Sequence, residues 1–497
     1  MYRIEKHEQL SIEEFKLPFE GKLDPENRWV LKAQMIPWEM LERQYSRHFC
    51  AEKMGSPAKP VRMAFGALVI QATLNLSDAE TVAQIRENPY MQYFIGLPVF
   101  QQKDPFEASL MVYFRKRITV NMINEINEQI FRAASQAAME TEKTKKKQKK
   151  QDPPDDRGAS GPTYRQGTLI LDATCAPQDI RYPTDLDILN ECREWLEQLI
   201  ARLCVSTNQQ LPRRYSRKAR REYLSVIRRK VKPEAIVRRA LRKQLQFILR
   251  DIGYIEALLH DKGILSEQEW ERYETIQKIF RQQEHMYRHR THSIAERIVS
   301  VSQPHVRPIV RNKARARCEF GAKLSLSSVS GYCFIDHISW EAYNEATLFQ
   351  QHIEHYMQSY GYYPEVVCAD QIYRTRENRA YCKTRGIRMA GKALGRPKKM
   401  SAAEKKESRQ SEGKRNRIEG AFGVAKNRFG MNLIRTKRKA TSESAIALIV
   451  FAMNLEHQLR VLFLHVWENI LKFLKHYGLA VYAWLECCLK PLVLGKC

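Results

Sequence analysis

The 497 residues include only eleven cysteines, an odd number, and no two stand in a Cys-x2-Cys spacing. Neither a zinc site nor a disulfide framework is thereby indicated. Adjacent Cys487 and Cys488 read as packed thiols. No stretch reaches the roughly 18 uncharged apolar residues of a membrane span. The start, Met1-Tyr-Arg-Ile-Glu-Lys-His-Glu8, is not an apolar leader, so a cytoplasmic chain without a membrane partner is expected.

Acid is the scarce charge: 56 Asp+Glu face 83 Lys+Arg, leaving +27. Such an excess calls for a polyanion, with nucleic acid the leading candidate, and is silent on fold. At 43% hydrophobic residues the chain can fill ordinary cores. Its length predicts about two to four domains.

Against this basic background three acids stand out. Two apolar runs, Gly167-Thr-Leu-Ile-Leu-Asp172 and Glu365-Val-Val-Cys-Ala-Asp370, each end on an aspartate, and Glu419 lies in an Arg/Lys-flanked helical stretch. A short unbroken aliphatic run reads as a buried central strand, and a charge ends such a strand only where the sheet opens toward solvent or a ligand. The carboxylates then mark the functional edge of an α/β sheet. Magnesium takes carboxylate oxygens plus substrate phosphates, and two ions about 3.5–4 Å apart stabilise both the attacking and the leaving oxygen of a phosphodiester displacement. Two Asp and one Glu suffice to hold them. Each also has a plainer reading: Asp172 could cap a turn, Asp370 the helix starting near Arg374, and Glu419 could form an exposed pair with Arg415 worth about 0.3–0.5 kcal/mol. Asp179, Asp185, Asp187 and Asp336 are weaker competitors. His285-x3-His289-x2-His292 has helical metal-ligand spacing but lies between Arg288 and Arg290, and reads as basic surface.

Organisation is visible through charge runs. Six of the eight residues Lys143–Lys150 are Lys, and Gln151–Pro162 has the composition of an unpacked connector. A helical N-terminal unit for DNA binding or assembly is therefore expected over 1–140 and a linker over 141–163. Within the former, Ser77-Asp-Ala-Glu80 fits a capping box, with Pro89 ending that helix. Residues 185–300 read as helical, broken at Pro212, Pro233 and Gly253. Between Arg213 and Arg250 stand 15 Lys/Arg and two acids, Glu222 and Glu234, so this insertion carries 15 − 2 = +13. Its clusters, Arg228-Arg229-Lys230 among them, would neutralise several phosphates. A hairpin through Ser330-Gly331 and an amphipathic helix at about 345–360 then lead to the strand of Asp370.

The order is strand with Asp172, helical insertion, hairpin, helix, strand with Asp370, helix with Glu419. With the insertion removed it is the order of an RNase H-like domain, expected over 164–456 with a helical tail over 457–497. Arg415, Glu419, Phe422 and Lys426 fall at i, i+4, i+7 and i+11, one helix face presenting a carboxylate between two cations.

The chain also resembles the bacterial insertion-sequence DDE transposases of the InsH-like branch. The segments that carry the resemblance are Leu74–Tyr90 through Leu97 and Ser109–Arg115 near the start, Leu171-Asp-Ala-Thr174 and Ala369-Asp-Gln-Ile-Tyr373 in the core, and Arg415-Asn-Arg-Ile-Glu-Gly-Ala-Phe-Gly-Val-Ala-Lys426. Related elements often carry a Tyr two intervening residues before the Arg; here that position is Glu412. The resemblance implies catalytic, metal-holding roles for Asp172, Asp370 and Glu419, and phosphate contacts from Arg415 and Lys426. It also implies Mg2+ or Mn2+ as cofactor, DNA ends and target DNA as partners, and at least a dimer when active. A nuclease that cuts without joining, or a nucleic-acid-binding protein with a dead site, stays open on the residues alone.

Overall fold

The computed structural model describes residues 12–17, 21–49, 57–148, 165–261, 263–310, 318–391 and 402–476. Seven helices come first: α1 (Arg28–Met35), α2 (Trp38–Tyr45), α3 (Val61–Leu74), α4 (Asp78–Glu87), α5 (Pro89–Phe94), α6 (Leu110–Arg117) and α7 (Val120–Gln148). Ser77 caps α4 by accepting the Glu80 N–H at 3.2 Å, half of the expected capping box; the Glu80 carboxylate accepts from Gln84 instead. Asn88 closes α4 and caps α5 by accepting from Tyr90 and Met91, so Pro89 opens a helix in the first turn, where its missing N–H costs nothing.

Strand β1 (Thr168–Pro177) is followed by α8 (Asp185–Ser206), α9 (Ser216–Ile227), α10 (Glu234–His260) and α11 (Glu267–His289). The break expected at Gly253 is absent: α10 runs through it, because burying Ile248, Ile252, Ile255 and Leu258 outweighs the roughly 1 kcal/mol that a helical glycine costs. Then come β2 (Arg307–Val310), β3 (Cys318–Val329), β4 (Tyr332–Ser339), α12 (Phe349–Tyr360), β5 (Val366–Ala369), α13 (Arg376–Thr384), β6 (Arg388–Met389), α14 (Ala402–Asn427) and α15 (Lys439–His476). Ser330 and Gly331, with φ of 53° and 90°, make the tight turn between β3 and β4.

The strands form one mixed sheet, β2-β3-β1-β5-β6, with β4 also paired to β3. Strand β1 is antiparallel to β3 and parallel to β5, and β5 is parallel to β6. One face packs on α12 together with Phe131 of α7. The other shares a single core with the N-terminal helices and α15, in which Phe65 of α3 meets Phe451 of α15 at 5.2 Å. Lys32 of α1, wholly buried, pairs with Glu456 of α15 at 2.6 Å.

This shared core crosses the sequence-based boundaries: α7 passes residue 140 without a break, and α15 runs unbroken through 456 and 457. Residues 149–164, most of the expected linker, lie outside the described ones, as do Cys487 and Cys488. The insertion, by contrast, has a core of its own from α8, α10 and α11. Although it holds no run of 18 uncharged residues, Lys439–Leu464 is long and apolar enough to qualify as a membrane span by length and composition. Its Ile446, Phe451 and Leu455 are buried in the protein core, while Val461, Leu462 and Phe463 further along are exposed.

Candidate active site

The register of β1 against β5 builds the site. Pairing ends at Leu171 opposite Ala369, so the next residues, Asp172 and Asp370, lie side by side where β5 stops. Asp172 is not a strand terminus, as the sequence suggested, because β3 carries β1 on to Pro177. The sheet opens beside Asp172 on one flank only. Strand alternation places Asp172 on the face of Ile170 and Asp370 on the face of Cys368. Ile170, Cys368 and Ile418 of α14 form one small apolar cluster, and Glu419 follows Ile418. A hydrophobic contact thus brings all three acids to one side of the sheet edge.

Short hydrogen bonds fix two of them. Asp172 Oδ1 accepts from the N–H of Ala173 at 2.8 Å, and Asp370 Oδ1 from that of Gln371 at 2.7 Å, capping a single turn over Gln371–Tyr373. The helix that follows, α13, is capped by Thr375 and not by Asp370, whose cap is limited to this one turn and leaves Oδ2 for other work. Arg415 lies between Asp370 and Glu419, its Nη1 3.0 Å from Asp370 Oδ1 and its Nη2 3.3 Å from Glu419 Oε1. Both carboxylates are about half exposed, at 52%. Burial pushes the Asp172 carboxyl up to about 6; the charges of Asp370, Glu345 and Glu419 add to this, and the Ala173 N–H opposes it. Asp172 is therefore held up first by burial and then by the acids around it.

Lys426 stands seven residues beyond Glu419 on α14, half-buried, while Phe422 of the same face turns inward to pack against the core. Two residues escape the sequence reading. Glu345, paired with Lys323 at 2.8 Å, contributes to the negative potential at Asp172. Arg374 clasps the Ala369 carbonyl through Nε and Nη2 at 3.2 and 2.9 Å, fixing the backbone just before Asp370. Nothing local distinguishes either; both are placed by tertiary contacts.

Three of the four competing acids are engaged elsewhere. Asp185 accepts from Gln283 and pairs with Arg297, Asp187 joins Thr184 and Tyr223, and Asp336 accepts from Ser327. His285 and His289 stack on the insertion surface with ring centroids 4.1 Å apart. Among the described residues no three Asp, Glu, His or Cys converge closely enough to hold a metal. Asp172, Asp370 and Glu419 nonetheless fit a hard divalent cation as a donor set, all carboxylate oxygens at an open edge. In this structure the positive charge between Asp370 and Glu419 is the Arg415 guanidinium. The insertion's Arg228, Arg229 and Lys230 are exposed at the end of α9.

A mixed α/β protein with an acidic sheet edge and a strongly basic surface is the class these features define. Residues 367–456, including Asp370 and Glu419, match the family described as "Transposase DDE domain", and residues 17–117 match "Transposase domain (DUF772)". These two stretches are thus similar to transposase families, in accord with the resemblance read from the motifs. A stretch of 171 residues, 34% of this chain and 72% of the relative, is 28% identical to an uncharacterized protein, ORF8 in the nfe locus of Rhizobium meliloti. No solved structure matches the chain.

Proposed function

We propose that the protein is a DNA transposase that nicks the ends of a mobile element and joins the freed ends to target DNA. The observation that carries this reading is the placement of Asp172, Asp370 and Glu419 on one side of one sheet edge. The strand order β4-β3-β1-β5-β6, antiparallel up to β1 and parallel beyond it, supports an RNase H-like catalytic domain over 164–456. The helices before it serve end binding and assembly.

Asp172, Asp370 and Glu419 would hold Mg2+ or Mn2+, which would supply neutralisation of the charge that develops in the displacement. Arg415, now spanning Asp370 and Glu419, turns to a phosphate oxygen when DNA enters, and Lys426 holds a second phosphate on the same helix face. Arg374 keeps Asp370 aimed by locking the end of β5. In the first step a water oxygen bonds to phosphorus as the P–O3′ bond breaks; the water gives up a proton and the departing 3′-oxygen takes one. In the second step that 3′-hydroxyl attacks a target phosphorus and displaces the target's own 3′-oxygen, the same in-line exchange with a different nucleophile. Arg228, Arg229 and Lys230 bind phosphates along the duplex. Two element ends in one complex require at least a dimer, acting in the cytoplasm at the nucleoid.

The test is a gel shift run beside nicking and joining assays in Mg2+. Asp172→Asn, Asp370→Asn and Glu419→Gln keep side-chain volume and lose the ligating charge, so each abolishes nicking while leaving binding nearly intact. Wild-type nicking by any of the three removes that residue from the site. Nicking without joining of a pre-nicked oligonucleotide makes the protein a nuclease.

A further inference from the structure

A cavity of about 490 Å3 opens between the N-terminal helices and the loop joining α14 to α15. Its floor is aliphatic, formed by Leu68 and Ala72 of α3 and Leu448 of α15. Val112 of α6 and Leu433 of the loop line it as well, exposed by 42% and 41%. Single exposed aliphatic side chains are ordinary, but two lining one open cavity form an unpartnered apolar surface. The same cavity is rimmed by Arg435, Lys437 and Arg438, all exposed and none in an ion pair with a described residue. The one acid in the wall, Asp78, is already neutralised by Arg115 at 2.5 Å and accepts from Gln71 at 2.7 Å. An apolar floor under an uncompensated cationic rim matches a nucleotide, whose base is flat and weakly hydrated and whose phosphate is anionic.

Position adds to composition. The loop is joined to the strand that carries Asp172: the N–H of Ile434 donates to Pro177 O at 2.8 Å, and that of Asp179 to Ile434 O at 2.9 Å. Helix α14 carries Glu419 and ends at Asn427, eight residues on, which is about 12 Å of helix or about four nucleotides of a duplex strand. A strand with one phosphate at the acids that follows α14 arrives at the cavity. The wall is built in advance, since Gly430, at φ 77°, leaves no room for a Cβ beside the Asn75 side chain.

We propose that this cavity receives one nucleotide unstacked from the DNA, its base on Leu68, Ala72 and Leu448 and its phosphate against Arg435 and Arg438. The proposal rests on the reading of the protein as a DNA transposase and adds a base-binding subsite to it. Drawing a base out of a duplex costs unstacking and unpairing, a cost already met where a base is unpaired.

The full-length protein, in metal-free buffer, is titrated with two duplexes of one sequence, one fully paired and one carrying a single bulged 2-aminopurine. The bulged duplex binds about tenfold more tightly, and its fluorescence rises as the base leaves its neighbours in the duplex for a lining whose one aromatic side chain is Phe429. Ala72→Trp fills the floor, and Leu433→Glu charges an exposed position of the cavity lining. Each brings the bulged duplex down to the affinity of the paired one, while the paired duplex changes less than twofold. Equal binding of both duplexes by the wild type, or a preference that survives both variants, overturns the subsite and leaves the transposase reading standing. Binding of neither duplex overturns both.

Discussion

Lys32 and Glu456 show how much one buried pair can hold. Burial alone would raise the Glu456 carboxyl, but Lys32 at 2.6 Å and Arg428 at 3.1 Å outweigh it and hold it below the usual carboxylate range. A depressed folded value means that the stabilisation is present above the unfolded value of about 4.3 and is lost as the pH falls through the folded one. Glu456→Gln leaves Lys32 charged and buried without its carboxylate, so at pH 7 it costs about 3–5 kcal/mol. Urea denaturation of both proteins down the pH scale checks this: the gap narrows below about pH 4, and a constant gap would assign the loss to packing. The same scale shows what sequence reveals. Asp172, Asp370 and Glu419 were legible because a charge closing an apolar run, or facing cations at helical spacing, is locally odd. Glu345 and Arg374 look like any other acid and cation in a chain with 56 of one kind and 83 of the other, and only the fold sets them beside the site.

At the scale of elements, periodicity predicted the helices and the hairpin, and errors arose where a residue type was read as a stop signal. Asp172 was read as the end of β1, yet the strand continues because Ala173–Pro177 still pairs with Gly321–Ser325. Gly253 was read as a break in α10, yet an ideal Cβ there meets nothing within 4 Å. Gly253→Ala therefore raises stability by about 0.5–1 kcal/mol, measured by chemical denaturation, since helix propensity improves and nothing is displaced. The helix ends of the insertion make the other element-scale prediction. Arg228 and Lys230 make no ion pair with a described residue, and the Arg229 guanidinium donates to the carbonyl of Ser225, at 3.2 Å. Replacing all three by Gln flattens the slope of log K against log[salt] by about 0.9 for each phosphate no longer neutralised, with little change in sequence preference. An unchanged slope places the DNA on another face.

For the whole molecule the question is which parts fold alone. Composition placed a boundary between a helical unit over 1–140 and the rest, since lysine runs and a proline-rich stretch look like a connector. Composition cannot show that the apolar face of α3 is covered by α15, some 380 residues away in sequence, or that Lys32 finds its counter-charge at Glu456. A fragment of residues 1–140 therefore exposes Phe65 and strands Lys32, and it is expected to lack a cooperative thermal transition by circular dichroism. The insertion is the opposite case. Its helices bury Leu196, Ile200, Ile248, Ile255 and Ile276 among themselves, and its two ends are held together by Arg297 on Asp185 at 2.6 Å. A closed core with adjacent ends is the arrangement of a segment that tolerates excision. Residues 184–300 expressed alone should be helical and melt in one cooperative step. If 1–140 melts cooperatively and 184–300 does not, the unit of folding follows the charge runs rather than the buried packing.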